Sequence, residues 1–250
     1  MLVFTKDVWQ YNRSFRREGK MQTVFSSSFE EGFYDYEGIG ELTCPYGWTP
    51  SWVQGPGGGK LHRPEYDAKD RDANQPEVRT GRYAANFFTV YATHDGCLYR
   101  KFHVGAGKLV RASVWCMNVT NSKDGPDGGH GMRVGIDPAG GTNHMGMNVV
   151  YGDYWSSYMK PEWEERKWKQ VDVEVISQAD EITVFLAAKC DYAADINASH
   201  WDDFVLEVGE VPPNYEPPDL SVAGAQKIGD MNLAQLEELI RRIAREEAAK

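Results

Sequence analysis

The chain has 250 residues, 41% of them hydrophobic, and a formal net charge of -10. That length suits one all-β domain with extensions, and the acidic balance repels phosphate backbones, so nucleic acid is not an expected partner. No segment reaches the about 18 apolar residues that a membrane helix needs, and the opening MLVFTKDVWQYNRSFRREG lacks the apolar stretch of a secretory signal.

Residues 1–23 read as an N-terminal arm with one short strand at Leu2–Phe4. Lys6, Arg13, Arg16, Arg17 and Lys20 outnumber Asp7 and Glu18 there, which leaves two readings: a solvated arm, or one lying on an acidic neighbour. The main domain spans 24–208 and opens on a strand leading to Ser28-Phe29-Glu30-Glu31-Gly32. Residues 35–79 read as a long irregular region, rich in Gly and Pro, that holds Trp48 and Trp52.

From Arg82 onward strand follows strand. Over 109–119, Val110, Ala112, Val114 and Cys116 form one face, and Leu109, Arg111, Ser113, Trp115 and Met117 the other. This two-residue period marks a half-buried strand. Further strands are expected at 82–90, 97–104, 132–136, 148–151, 171–175, 182–188 and 201–208. Eight or nine strands separated by turn signals predict an all-β jelly-roll sandwich.

Residues 209–229 contain Pro212, Pro213, Pro217 and Pro218 and read as a semi-stiff linker. An amphipathic helix is expected over 230–250, with Asn232 as N-cap and Gln235 as its capping-box partner. Leu233, Leu236, Ile240 and Ile243 form a docking seam on that helix. A lone helix of this length is marginal in water. Its stripe therefore packs on the sandwich, on copies of the chain in a homo-oligomer, or on another structural protein.

The residues give no catalytic constellation, and a non-enzyme is expected. GPGGGK at 55–60 has the wrong spacing for a phosphate loop, and Leu61 stands where Ser or Thr is needed. Among the six histidines only His130 and His144, flanking one strand and its turn, suggest a meeting in space. The four cysteines show no metal spacing and read as buried free thiols. Two acidic spots stand out: Glu30-Glu31 after the first domain strand, and Asp202-Asp203 in the last. First and last strands of a sandwich commonly lie together, and carboxylates there suit a hard cation such as Ca2+.

The opening Ser28-Phe29-Glu30-Glu31-Gly32, a Trp some sixteen residues on, and the closing Trp201-Asp202-Asp203-Phe204-Val205-Leu206 resemble carbohydrate-binding modules of the galactose-binding-like jelly-roll type. Gly81-Arg82-Tyr83-Ala84-Ala85 and the 168–175 and 182–186 runs resemble the middle of such modules, so the likeness covers about 24–208. The resemblance implies a structural Ca2+ held by Glu30 and Asp202. The sequence departs from it in having Ser where the family often has Asn.

Two functions stay open. One is a structural or adhesive protein of a larger assembly, such as a phage virion, anchored by the arm and terminal helix. The other is a free-standing glycan-binding module of a bacterial surface or secreted protein. Trp115, Trp155 and Trp48, with Tyr151 and Arg111 beside them, are the candidate glycan-binding residues, because flat rings stack on sugar faces and polar groups take hydroxyls. A virion or an extracellular surface is the expected location.

Overall fold

The computed structural model describes residues 20–73, 77–120, 129–155 and 167–215. The strand expected at Leu2–Phe4 and the helix with Leu233, Leu236, Ile240 and Ile243 lie outside the described residues. Each alternating run within them is a strand. In chain order the strands are β1 (Gln22–Ser27), β2 (Phe33–Asp35), β3 (Thr43–Pro45), β4 (Thr49–Trp52), β5 (Glu65–Asp70), β6 (Tyr83–Thr89) and β7 (Ala92–His103). Then come β8 (Leu109–Thr120), β9 (His130–Asp137), β10 (Val150–Tyr151), β11 (Lys169–Ile176), β12 (Glu181–Ala194) and β13 (Asn197–Gly209).

The strands form an antiparallel jelly-roll sandwich. One sheet has six strands in the order β11-β8-β13-β6-β5, with β1 also paired to β13. The other has five, in the order β10-β9-β12-β7-β4, and β2 and β3 form a separate pair. The region 35–79, expected to be irregular, instead contains β3, β4 and β5. The reason is positional: β4 and β5 are sheet edges. Pro50 in β4 and the charged Glu65, Asp67, Lys69 and Asp70 of β5 suit edges, where missing ladder bonds cost little and charge deters further pairing.

The inner faces make the core. Val110, Ala112, Val114, Cys116, Phe87, Trp201, Phe204 and Leu206 from the larger sheet meet Leu98, Met132, Val134, Ile136, Ile182, Val184 and Leu186 from the smaller. Full burial of such side chains is worth about 1.5–3 kcal/mol each. At one end, Trp48 packs edge-on to Phe204 at 5.2 Å, with Phe29 and Phe102 beside it. At the other end the core turns polar around His94 and His130.

β13 changes partner along its length. Residues 197–201 pair with β6, and residues 204–208 pair with β1. β1 and β6 thus follow one another along the same edge of β13, and the ladder to β8 is irregular between Asp202 and Val205. Asp203 there has a positive φ of 50°. The end of β1 and the start of β6 meet at this irregularity.

Candidate functional site

The break between β1 and β6 is closed by carboxylates. Asp202 Oδ2 accepts the backbone N–H groups of Arg79 (2.9 Å) and Thr80 (3.0 Å), and its Oδ1 accepts that of Asp203 (2.8 Å). Glu30 Oε1 accepts the N–H groups of Arg82 and Tyr83, both at 2.8 Å. Two residues from the opening and closing motifs therefore hold one loop, 79–83, through four of its amides. Gly81 makes this close approach feasible: its φ is +59°, and a Cβ there would collide with the Glu30 carboxylate. Asp203 pairs with the Arg79 guanidinium and accepts the Thr80 hydroxyl at 2.5 Å. Burial, ahead of the neighbouring Asp203 charge, pushes the Asp202 carboxyl up to about 7.

A calcium ion takes six to eight oxygens. Here the bonded carboxylate oxygens face amide hydrogens, and among the described residues no group of three acidic, His or Cys side chains forms.

The five candidate glycan-binding residues do not converge. Trp48 is 0% exposed and belongs to the aromatic core, so its place on the binding surface is corrected: its large apolar ring is used for packing. Trp115 and Arg111 lie on the outer face of the six-stranded sheet. The Arg79 guanidinium covers the Trp115 ring at 3.7 Å, and Arg111 pairs with Asp172 at 2.9 Å. Trp155 is half-buried against the core, bridged to Met132 at the margin of β9. The two histidines expected to meet do not. His130 lies in the core beside His94, whereas His144 pairs with Asp95 at 3.3 Å.

Tyr151 belongs to a feature that the sequence reading missed. Gly131, Arg133 and Gly135 alternate along β9 and so point the same way. Tyr151 lies over Gly135, where an added Cβ would come within 2.5 Å of its ring. Tyr154 lies over Gly131, at 2.7 Å by the same measure, and Tyr192 covers Gly129. Arg133 sits between two of these rings, 3.6 Å from the Tyr151 centroid and 4.3 Å from that of Tyr154. Tyr154 is 47% exposed and Tyr192 41%. The Lys189–Asp191 pair (2.8 Å) stands on the neighbouring strand β12. The glycines strip one strand bare and three tyrosines lie along it. The signal in the sequence was the alternation Gly-x-Gly-x-Arg-x-Gly over 129–135.

In fold the chain is similar to carbohydrate-binding modules. A CBM22-1 xylan-binding domain from Paenibacillus barcinonensis has a TM-score of 0.46 and 15% identity, over 77% of this chain and 97% of that one. A CBM61 module solved with beta-1,4-galactotriose gives 0.42 and 16%, over 67% and 90%. The K3 adhesin domain of Lys-gingipain from Porphyromonas gingivalis gives 0.44 and 14%, over 75% and 99%. No family model and no curated protein matches the sequence. Among the described residues no helix is long and apolar enough to cross a membrane.

Proposed function

We propose that this chain is a non-catalytic glycan-binding module. The observation that carries the reading is the tyrosine stripe along β9, exposed at Tyr154 and Tyr192, with Arg133 inside it and Lys189 and Asp191 beside it. Aromatic rings present flat faces to the C–H groups of a sugar. Fixed charged groups take the hydroxyls and set orientation. Arg133 is held by two rings, so little side-chain freedom is lost when it binds.

The test is a glycan array followed by titration of each hit. Tyr154→Ala and Tyr192→Ala are each expected to weaken binding about tenfold, equal to about 1.4 kcal/mol, with melting unchanged. An array without hits, or hits indifferent to both substitutions, would sink the reading.

The reading extends to an adhesive component of a larger assembly, such as a virion, docked through residues 230–250. Its support is the sequence spacing of Leu233, Leu236, Ile240 and Ile243. A mass measurement of the intact chain and of one lacking 230–250 tests it. An oligomer that falls to monomer on deletion is expected, and an intact chain that is already monomeric and binds no partner removes it.

A further inference from the structure

Arg133 stands in the middle of the tyrosine stripe, on the outer face of the five-stranded sheet; Met132, Val134 and Ile136 of the same strand belong to the core. Gly131 and Gly135 lie two residues to either side of it. Tyr154 and Tyr151, which cover those glycines, therefore flank its guanidinium along the strand. The Tyr151 ring centre is 3.6 Å away, which is face contact, and that of Tyr154 is 4.3 Å away. Tyr151 is itself fixed, its hydroxyl donating to the His144 carbonyl at 2.7 Å. Every other described arginine has an acceptor. Arg63, Arg79, Arg82 and Arg111 pair with carboxylates, and Arg71 and Arg100 donate to backbone carbonyls. Among the described residues no acceptor is bonded to Arg133, which is only partly buried. Rings cover the faces of a guanidinium and leave its in-plane N–H groups untaken.

We propose that Arg133 binds the carboxylate of an acidic glycan, a hexuronate unit of the sugar chain that the stripe receives. This rests on the glycan-binding reading above and names the ligand class for the same site. The fork of N–H groups matches two carboxylate oxygens side by side. A carboxylate is planar and continues the guanidinium plane outward between the rings. A tetrahedral sulfate or phosphate ester carries oxygens above and below that plane, toward the electron-rich ring faces. A plain sugar hydroxyl takes one hydrogen bond and leaves the charge unmatched. The carboxylates beside the stripe are engaged elsewhere. Asp191, near Gly129, pairs with Lys189 at 2.8 Å, and Asp95, across from Lys189, meets the His144 ring at 3.3 Å. Of the two cations at the stripe, Lys189 thus has its carboxylate and Arg133 is open to one from a ligand.

The experiment is a calorimetric titration of the full chain with trimers of galacturonate, glucuronate and mannuronate, each beside its methyl ester, and with a sulfated galactose trimer. At least one acid is expected to bind about tenfold more tightly than its ester, and its affinity should fall with added salt while that of the ester holds. Arg133→Gln is expected to bring acid and ester level. Arg133→Lys, which keeps the charge and loses the planar fork, should recover only part of the preference. Lys189→Gln should leave the preference intact, because Lys189 is already paired. Esters bound as tightly as acids, a preference that survives Arg133→Gln or is kept in full by Arg133→Lys, tighter binding of the sulfated trimer, or no acid bound at all would each overturn the proposal. Neutral glycans that bind through Tyr154 and Tyr192 would then leave the glycan-binding reading standing without this one. Binding of no glycan, neutral or acidic, removes both.

Discussion

His94 and His130 meet edge to face between the two sheets, their ring centres 5.6 Å apart and their planes at 88°. His94 Nδ1 contacts Thr89 Oγ1 at 2.9 Å and Cys190 Sγ at 3.3 Å, and His130 Nε2 contacts Ser199 Oγ at 2.8 Å. Among the described residues no carboxylate is bonded to either ring. Burial drives His130 down to about 3 and His94 well below the usual imidazole value, the latter lowered further by His130. Both are neutral in the folded protein.

The first prediction follows from the sign of that shift. Unfolded, each histidine takes up a proton near pH 6.5; folded, it does so only at much lower pH. The unfolded chain therefore binds more protons below 6.5, and stability falls as pH falls from there toward about 3. The slope is about 1.4 kcal/mol per pH unit for each histidine, and Asp202, its carboxyl pushed up to about 7, gains a proton on folding and offsets about one of them over the same range. Urea midpoints measured from pH 7.5 to 4.5 should decline, and His130→Gln should remove part of that slope. A flat profile over this range contradicts it.

Asp202→Ala leaves the amides of Arg79, Thr80 and Asp203 without their acceptor. Each buried donor left unpaired costs about 1–3 kcal/mol, so a clear drop in the urea midpoint is expected. Gly81→Ala should also destabilise, by about 1–3 kcal/mol, through its positive φ and the collision with Glu30.

Calcium should leave melting unchanged, since the carboxylates of Glu30 and Asp202 already bind amides. A cation at a hundred times its Kd would add about 2.7 kcal/mol, a shift of several degrees. Melting curves in excess calcium and in EDTA decide the matter: overlay is expected, and separation by several degrees would establish the cation.

Trp48→Ala should cost about 3–5 kcal/mol, because it empties the aromatic end of the core. Tyr154→Ala should stay within about 0.5 kcal/mol of the parent, as exposed positions do. Thermal melts of both, set beside their glycan titrations, separate packing from recognition.

All four cysteines are free and buried. Burial pushes the Cys44 and Cys190 thiols up to about 12, and Cys97 and Cys116 also upward. A thiol reagent at pH 8 should find none of them in the native protein and four after denaturation. Rapid native reaction at any of them would show that its cover opens.

The sandwich was legible wherever one strand face met the core and the other met water, as in β11, where Val171, Val173 and Val175 are buried and Asp172 and Ile176 exposed. It was obscured in two places. The edge strands β4 and β5 replace apolar alternation with proline and charge. In β12, Ile182 to Ala188 are buried on both faces, since Val149 and Tyr151 pack outside Phe185 and Ala187, and the alternation vanishes. The nearness of Glu30 and Asp202 followed from the motifs; the loop they hold did not, since nothing in Arg79-Thr80-Gly81-Arg82 names its acceptors. The tyrosine stripe escaped because its readable element is missing side chains, the glycines of β9. The polar end of the core escaped because His94, His130 and Cys190 come from three separate strands.

β13 lies in the middle of the six-stranded sheet although it is the last of the described strands. A nascent chain that has not yet delivered Asn197–Gly209 holds β8–β11 and β5–β6 as two fragments with open inner edges and leaves β1 unpaired. Such edges template wrong pairing. Synthesis therefore has to finish this strand before half of the sandwich exists, and premature termination or a slow stretch just upstream of Asn197 should yield aggregate and not a smaller folded domain.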